Sequence, residues 1–313
     1  LELLHFWITH SCSTFVDLSA CVNLFQTTIV QLAFKHQFLL HEILSLSAIH
    51  LSLLQTSPSE AAKYKHASSK HLAASLSLFQ PEISNLSIEN CHACFAFSMM
   101  IFMPCWAGQN MSKPSSLLFS PKNFDSNEDE DTQWVKLHRG AFAILRNLWS
   151  VISKGPLEPI FTPWKALDFN CRDVLNEVDA TQLGELSLAW NSPSSRLSLG
   201  QKEILDGALE NLKKIFSILE FNPEVSKLAV TMTWFTIISD DYLEMLKDKL
   251  PEAMLLVGFY CVLLKRLDHV WWVTGKGENL LKTVIIELDE RKELKEWLRW
   301  PTEQVITEPH EVG

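Results

Sequence analysis

From residue 38 the chain reads Phe38-Leu39-Leu40-His41-Glu42-Ile43-Leu44-Ser45-Leu46-Ser47-Ala48-Ile49-His50-Leu51, and no other stretch constrains the fold so strongly. At a helical pitch its apolar positions cover most of the circumference, so a helix here must be buried on several sides. Only other helices, packed around it, supply that burial economically. The same spacing predicts helices over 20–34, 59–79, 83–103, 132–152, 201–219, 224–238, 240–249, 251–272 and 277–299, with Pro223 and Pro251 at helix starts, where a missing N–H is tolerated. No run alternates with period two for long enough to form a strand. The expectation is an all-α fold, one helical domain over 1–313 with chain enough to enclose an apolar cavity, interrupted by surface loops at 113–132 and 155–163.

Charge narrows the function. There are 27 Lys and Arg against 37 Asp and Glu, a formal charge of −10, and the basic residues do not cluster. Nucleic acid is therefore not expected as a partner of this chain. Seven cysteines, an odd number set among apolar neighbours, read as free thiols in a reducing compartment, so the expected location is cytoplasmic, or nuclear for a regulator. Cys91-His92-Ala93-Cys94 is the nearest approach to a metal pair, but no second pair stands at zinc spacing, and core packing is the simpler reading. The uncharged stretch 90–112 is densely apolar only from Ala93 to Met103, and 228–239 and 253–264 are also short, so no membrane span is expected. The first residue is Leu1, not Met, which suggests a trimmed or processed start.

One pattern invites chemistry. Ser239-Asp240-Asp241-Tyr242-Leu243-Glu244-Met245-Leu246-Lys247 follows the apolar run 228–238. On a helix Asp241 and Glu244 are neighbours at i,i+3 and Asp240 and Glu244 at i,i+4, so three carboxylates can converge on one or two Mg²⁺ ions. Lys247 projects from the same face, where its ammonium could grip a diphosphate. Trp234, Phe235 and Trp271 would offer aromatic faces to a carbocation, worth roughly 0.5–2 kcal/mol each, and Leu243 could shape the space beside the carboxylates. The same acids after Ser239 also fit a helix cap, which needs no metal. Lys276, between Gly275 and Gly277, reads as an exposed turn lysine or as a further phosphate contact. His36, His41 and His50 read as hydrogen-bonded core residues.

Two resemblances add to this. Leu1-Glu2-Leu3-Leu4-His5-Phe6, the stretch Leu32 to His41 with Leu46 to Leu51, His138-Arg139-Gly140-Ala141, and the ending Trp271-Trp272-x-x-Gly275-x-Gly277 with Trp297-Leu298-Arg299-Trp300-Pro301 resemble the effector domain of fungal zinc-binuclear-cluster regulators of the sterol-uptake-control type. That resemblance implies an α-helical, often dimeric domain holding a lipophilic ligand. Lys276 stands where such regulators carry Trp. The acidic motif with Lys247 resembles instead the atypical fungal humulene synthases, class I sesquiterpene cyclases. This second resemblance implies farnesyl diphosphate as substrate, a binuclear Mg²⁺ site on Asp240, Asp241 and Glu244, an essential lysine at Lys247, and product geometry set by Leu243. The expected function is therefore a Mg²⁺-dependent, homodimeric sesquiterpene cyclase. Its alternative is a lipid- or sterol-sensing effector domain.

Overall fold

The computed structural model describes residues 1–15, 17–115, 117–119, 133–165, 175, 177–192 and 195–306. The acidic stretch at 125–131, most of the expected loop at 113–132, and Cys171 lie outside the described residues. Among those described, every regular element is a helix, and the fold is all-α as the spacing predicts. The other six cysteines are free thiols, and all but Cys105 are buried.

The stretch that wraps its own circumference forms α1 (Gln37–Leu54), in which Phe38, Leu39, Ile43, Leu46 and Ile49 are buried. It pairs along its length with α2 (Pro58–Ser84), started by Pro58 at a position that needs no N–H. Serines let these two helices approach closely: Ser45 Oγ donates to the Ser68 carbonyl at 3.0 Å. Glu42 is sealed into the same seam, where Ser75 Oγ donates to its Oε2 at 3.3 Å and burial pushes its carboxyl up to about 8. The expectation of no membrane-spanning stretch is corrected here. By length and composition α1 is long and apolar enough to cross a bilayer, although 61% of it is buried inside the fold, as in the core helix of a globular chain.

α3 (Cys91–Met100) begins later than the expected 83–103 helix, because Asn90 ties the preceding loop: Ser87 N donates to its Oδ1 at 2.8 Å and its Nδ2 donates to Glu82 Oε2 at 2.8 Å. Next come α4 (Gln133–Ile152), kinked at Leu148, and α5 (Leu199–Phe221), which opens on a reciprocal capping box between Ser198 and Gln201. α6 (Lys227–Ile237), α7 (Asp240–Lys247) and α8 (Pro251–Lys265) follow. α8 is the most enclosed helix, buried from Glu252 to Leu264. Gly258 makes room on it, since a Cβ there would lie 2.4 Å from Leu298 Cδ2.

The expected helix over 251–272 ends at Lys265, and α9 (Lys276–Glu287) stops short of 299. The first break is a knot of hydrogen bonds around Asp268, whose Oδ1 accepts from Gly275 N at 2.9 Å and whose carbonyl accepts from Thr274 Oγ1 at 2.9 Å. Gly275 sits there at φ 72°, the left-handed region that glycine enters without strain. The helix Glu158–Lys165 falls largely within the expected loop at 155–163, with Phe161 buried and an exposed 2.9 Å pair between Glu158 and Lys165.

Candidate functional site

The acidic motif forms α7, and its surroundings explain it without metal. Ser239 Oγ caps the helix by accepting from Tyr242 N at 3.1 Å, and Asp240 and Asp241 occupy the first turn at the positive end of the dipole. Asp240, its side chain 90% exposed, pairs with the Arg139 guanidinium. Arg139 also donates through Nε to the Phe235 carbonyl at 2.9 Å and through Nη2 to the Ile238 carbonyl at 2.7 Å. One side chain from α4 thus satisfies two orphaned carbonyls at the end of α6 and one acid at the start of α7. Asp241, Glu244 and Lys247 are exposed, and Leu243 is half-buried against the core.

The structure does not bring the expected aromatics to this helix as an open wall. Trp234 and Phe235 are buried against Tyr260, with ring centroids 4.7 Å away in both cases, and their polar neighbours are satisfied: Trp234 Nε1 donates to the Ala208 carbonyl at 3.3 Å and Tyr242 Oη to the Ala253 carbonyl at 2.8 Å. Trp271 lies elsewhere, stacked on His50 at 4.2 Å. Among the described residues no group of three or more His, Cys, Asp or Glu side chains could hold a metal ion. Cys91 and Cys94 belong to the core, where burial pushes the Cys94 thiol up to about 12.

The unsatisfied chemistry is at the other end of α8. The turn after it carries Trp271 and Trp272, whose indole Nε1–H groups are buried without an acceptor. Trp272 lies edge-on to Phe102 and Trp106, at 5.7 and 5.8 Å. Beneath Trp271, His50 accepts or donates at 3.0 Å to Ser11 Oγ, and burial, with His10 adding to it, lowers its ring to about 4, so it is neutral. His50 is thus a hydrogen-bonded core residue, as expected; His41 is only half-buried and shares a 2.8 Å contact with His71 between the Nδ1 atoms.

Lys276 corrects the expectation of an exposed turn lysine. It is 3% exposed, the first residue of α9, and burial lowers its ammonium to about 8. The cause is its neighbour. Gly277 presses against α8 so closely that a Cβ would stand 2.8 Å from the Cys261 carbonyl oxygen and 3.0 Å from Lys265 N. The start of α9 is thereby drawn inward, and among the described residues the only acceptor for Lys276 Nζ is the Met111 thioether, at 3.0 Å. A glycine on each side of the lysine is the one signal in the sequence that could have indicated this depth. Among the described residues, the two indoles after α8 and the ammonium at the start of α9 are thus buried donors short of oxygen acceptors.

The fungal specific transcription factor domain family matches residues 2–173. A Zn(2)-C6 fungal-type transcription factor of Gibberella zeae is 21% identical over 324 aligned residues, covering 96% of this chain and 60% of that protein. Sterol uptake control protein 2 of Candida albicans is 31% identical over 127 residues, covering 41% of this chain and 16% of that protein. The chain therefore spans less than two thirds of the length of either relative. The matches overturn the expected Mg²⁺-dependent terpene cyclase, and with it the humulene synthase resemblance and farnesyl diphosphate as partner, because the family is one of transcription factors, one relative is named as such and the other as a sterol uptake control protein. The expectation of no nucleic acid through this chain is corrected on the same ground, since a transcription factor family points to nucleic-acid or regulatory partners in place of a prenyl diphosphate.

Proposed function

Since this chain belongs to the fungal specific transcription factor domain family, we propose that it is the effector domain of a Zn(2)-C6-type transcription factor and responds to a sterol-like lipophile. The carrying observation is likeness along 96% of the chain to one such factor, supported by likeness over a shorter stretch to a sterol uptake control protein. The partners that go with this reading are nucleic acid and other regulatory proteins, as for a Zn(2)-C6 factor. The nucleus is the corresponding place of action.

The buried indole N–H groups of Trp271 and Trp272 are the donors that this reading assigns to the ligand. A sterol supplies one hydroxyl oxygen and a large apolar body, and a buried indole N–H without an acceptor is a fitting donor for that oxygen. No metal is needed for such binding. The test is titration of the purified chain with a fluorescent sterol, read by energy transfer from tryptophan. Saturable binding unchanged by chelator is expected, and Trp272→Phe, which keeps a six-membered aromatic ring but loses the pyrrole ring with its N–H, weakens it at least about 3–10-fold, the size of one net hydrogen bond. Absence of saturable binding, or binding that a chelator abolishes, would rule the reading out.

A further inference from the structure

Seven methionines are present, Met99, Met100, Met103, Met111, Met232, Met245 and Met254, and all lie among the described residues. Six are buried or half-buried. Met111 alone is exposed, at 40%. Its backbone is held in place from α9: Asn279 Nδ2 donates to the Met111 carbonyl at 3.2 Å and to the Lys113 carbonyl at 2.9 Å, and Ser115 N donates to Thr283 Oγ1 at 2.8 Å. Its side chain lies over the turn, with Cε 3.3 Å from where a Cβ on Gly275 would stand, and its sulfur meets Lys276 Nζ. An exposed methionine is thus fixed with its sulfur against a buried ammonium that has, among the described residues, no oxygen acceptor.

We propose that Met111 is an oxidation site for hydrogen peroxide or an organic hydroperoxide, and that its sulfoxide oxygen becomes the acceptor that Lys276 lacks. In the step, a sulfur lone pair forms a bond to the terminal peroxide oxygen and the O–O bond breaks. The proton on the transferred oxygen passes to the departing hydroxide or alkoxide, which leaves as water or alcohol. Sulfur is oxidised by two electrons and the peroxide reduced by two. A thioether is a weak acceptor, whereas a sulfoxide oxygen facing an ammonium makes a charge-assisted hydrogen bond. Oxidation, which usually disrupts a methionine's surroundings, here ties the segment 111–115 more firmly to α9. A sulfoxide reductase would restore the thioether.

The experiment is a timed exposure of the folded chain to hydrogen peroxide, with sulfoxide at each methionine measured by peptide mass spectrometry and melting followed in parallel. Met111 is expected to oxidise at least about tenfold faster than any other methionine, in keeping with its exposure. The oxidised wild type then melts higher than the reduced protein, whereas oxidation lowers the melting temperature of Lys276→Leu, which adds no further thioether. A second reading stands apart from that variant's folding: acylation of Lys276 by an amine reagent slows at least threefold once Met111 is oxidised. Oxidation of Met99 or a buried methionine at the same rate as Met111, an equal melting shift in both proteins, or an unchanged acylation rate would overturn the proposal.

Discussion

Glu42 and Lys276 are both buried with too few partners, but they bend the stability curve in different pH windows. The Glu42 carboxyl is raised from 4.5 to about 8 by burial, so between those values the folded chain holds a proton that the unfolded chain has released. Stability contributed by the protonated form is complete below about pH 4.5 and is lost as pH rises through 8. Glu42→Gln, which keeps a partner for Ser75 and carries no charge, should flatten this slope and gain about 1–3 kcal/mol over wild type at pH 8, measured by urea denaturation at pH 5 and pH 8. For Lys276, lowered from 10.5 to about 8, the unfolded chain binds more protons between those values, so its own contribution rises with pH there. Lys276→Leu should therefore be more stable than wild type at pH 7, and that advantage should shrink between pH 8 and 10.5, measured as the difference between the two proteins in urea denaturation. Neither residue announces its depth locally. Glu42 occupies a position the wrapping apolar pattern would bury, yet a carboxylate there gives no sign of the neutral form it must adopt; Lys276 is buried through the close fit of Gly277 on a helix more than ten residues upstream.

At the level of elements, the spacing that predicts the helices and the interactions that end them are separate kinds of information. Apolar periodicity places α1, α5, α7 and α8, but the boundaries come from side chains acting over a few residues, Asn90 before α3 and Asp268 after α8. The acidic helix is the sharpest case. Its spacing serves metal ligation and helix capping equally, and what separates them is Arg139, about a hundred residues earlier, fastening Asp240 to the end of α6. Removing that side chain in Arg139→Ala leaves the Phe235 and Ile238 carbonyls without their donor and should cost about 1–3 kcal/mol. Ser239→Ala should cost about 1 kcal/mol through the lost cap, whereas Asp241→Asn, an exposed change, should stay within about 0.5 kcal/mol. Chemical denaturation of the three variants ranks them; a large loss in Asp241→Asn with none in Arg139→Ala would contradict this account of α7. Gly277→Ala, whose methyl would strike the backbone of α8, should destabilise by about 1–3 kcal/mol.

For the whole molecule, the fold class was legible because a chain with helical periodicity almost throughout and no alternating run has few other ways to bury its apolar surface. Function was legible only through the resemblance to fungal regulators, since a short acidic motif carries little information beside likeness along the length of the chain. The family match ends at residue 173, yet the contacts described above straddle that limit. His50 stacks on Trp271, Met111 covers Lys276, and Arg139 clasps Asp240. Each pair takes one member from either side. Anyone trimming a gene at the recognised boundary would thus split three partnerships at once and leave α8 without its wrapping. The two fragments should precipitate when expressed apart and recover solubility only when made together, so the working unit has to be cloned by its packing, not by the extent of its signature.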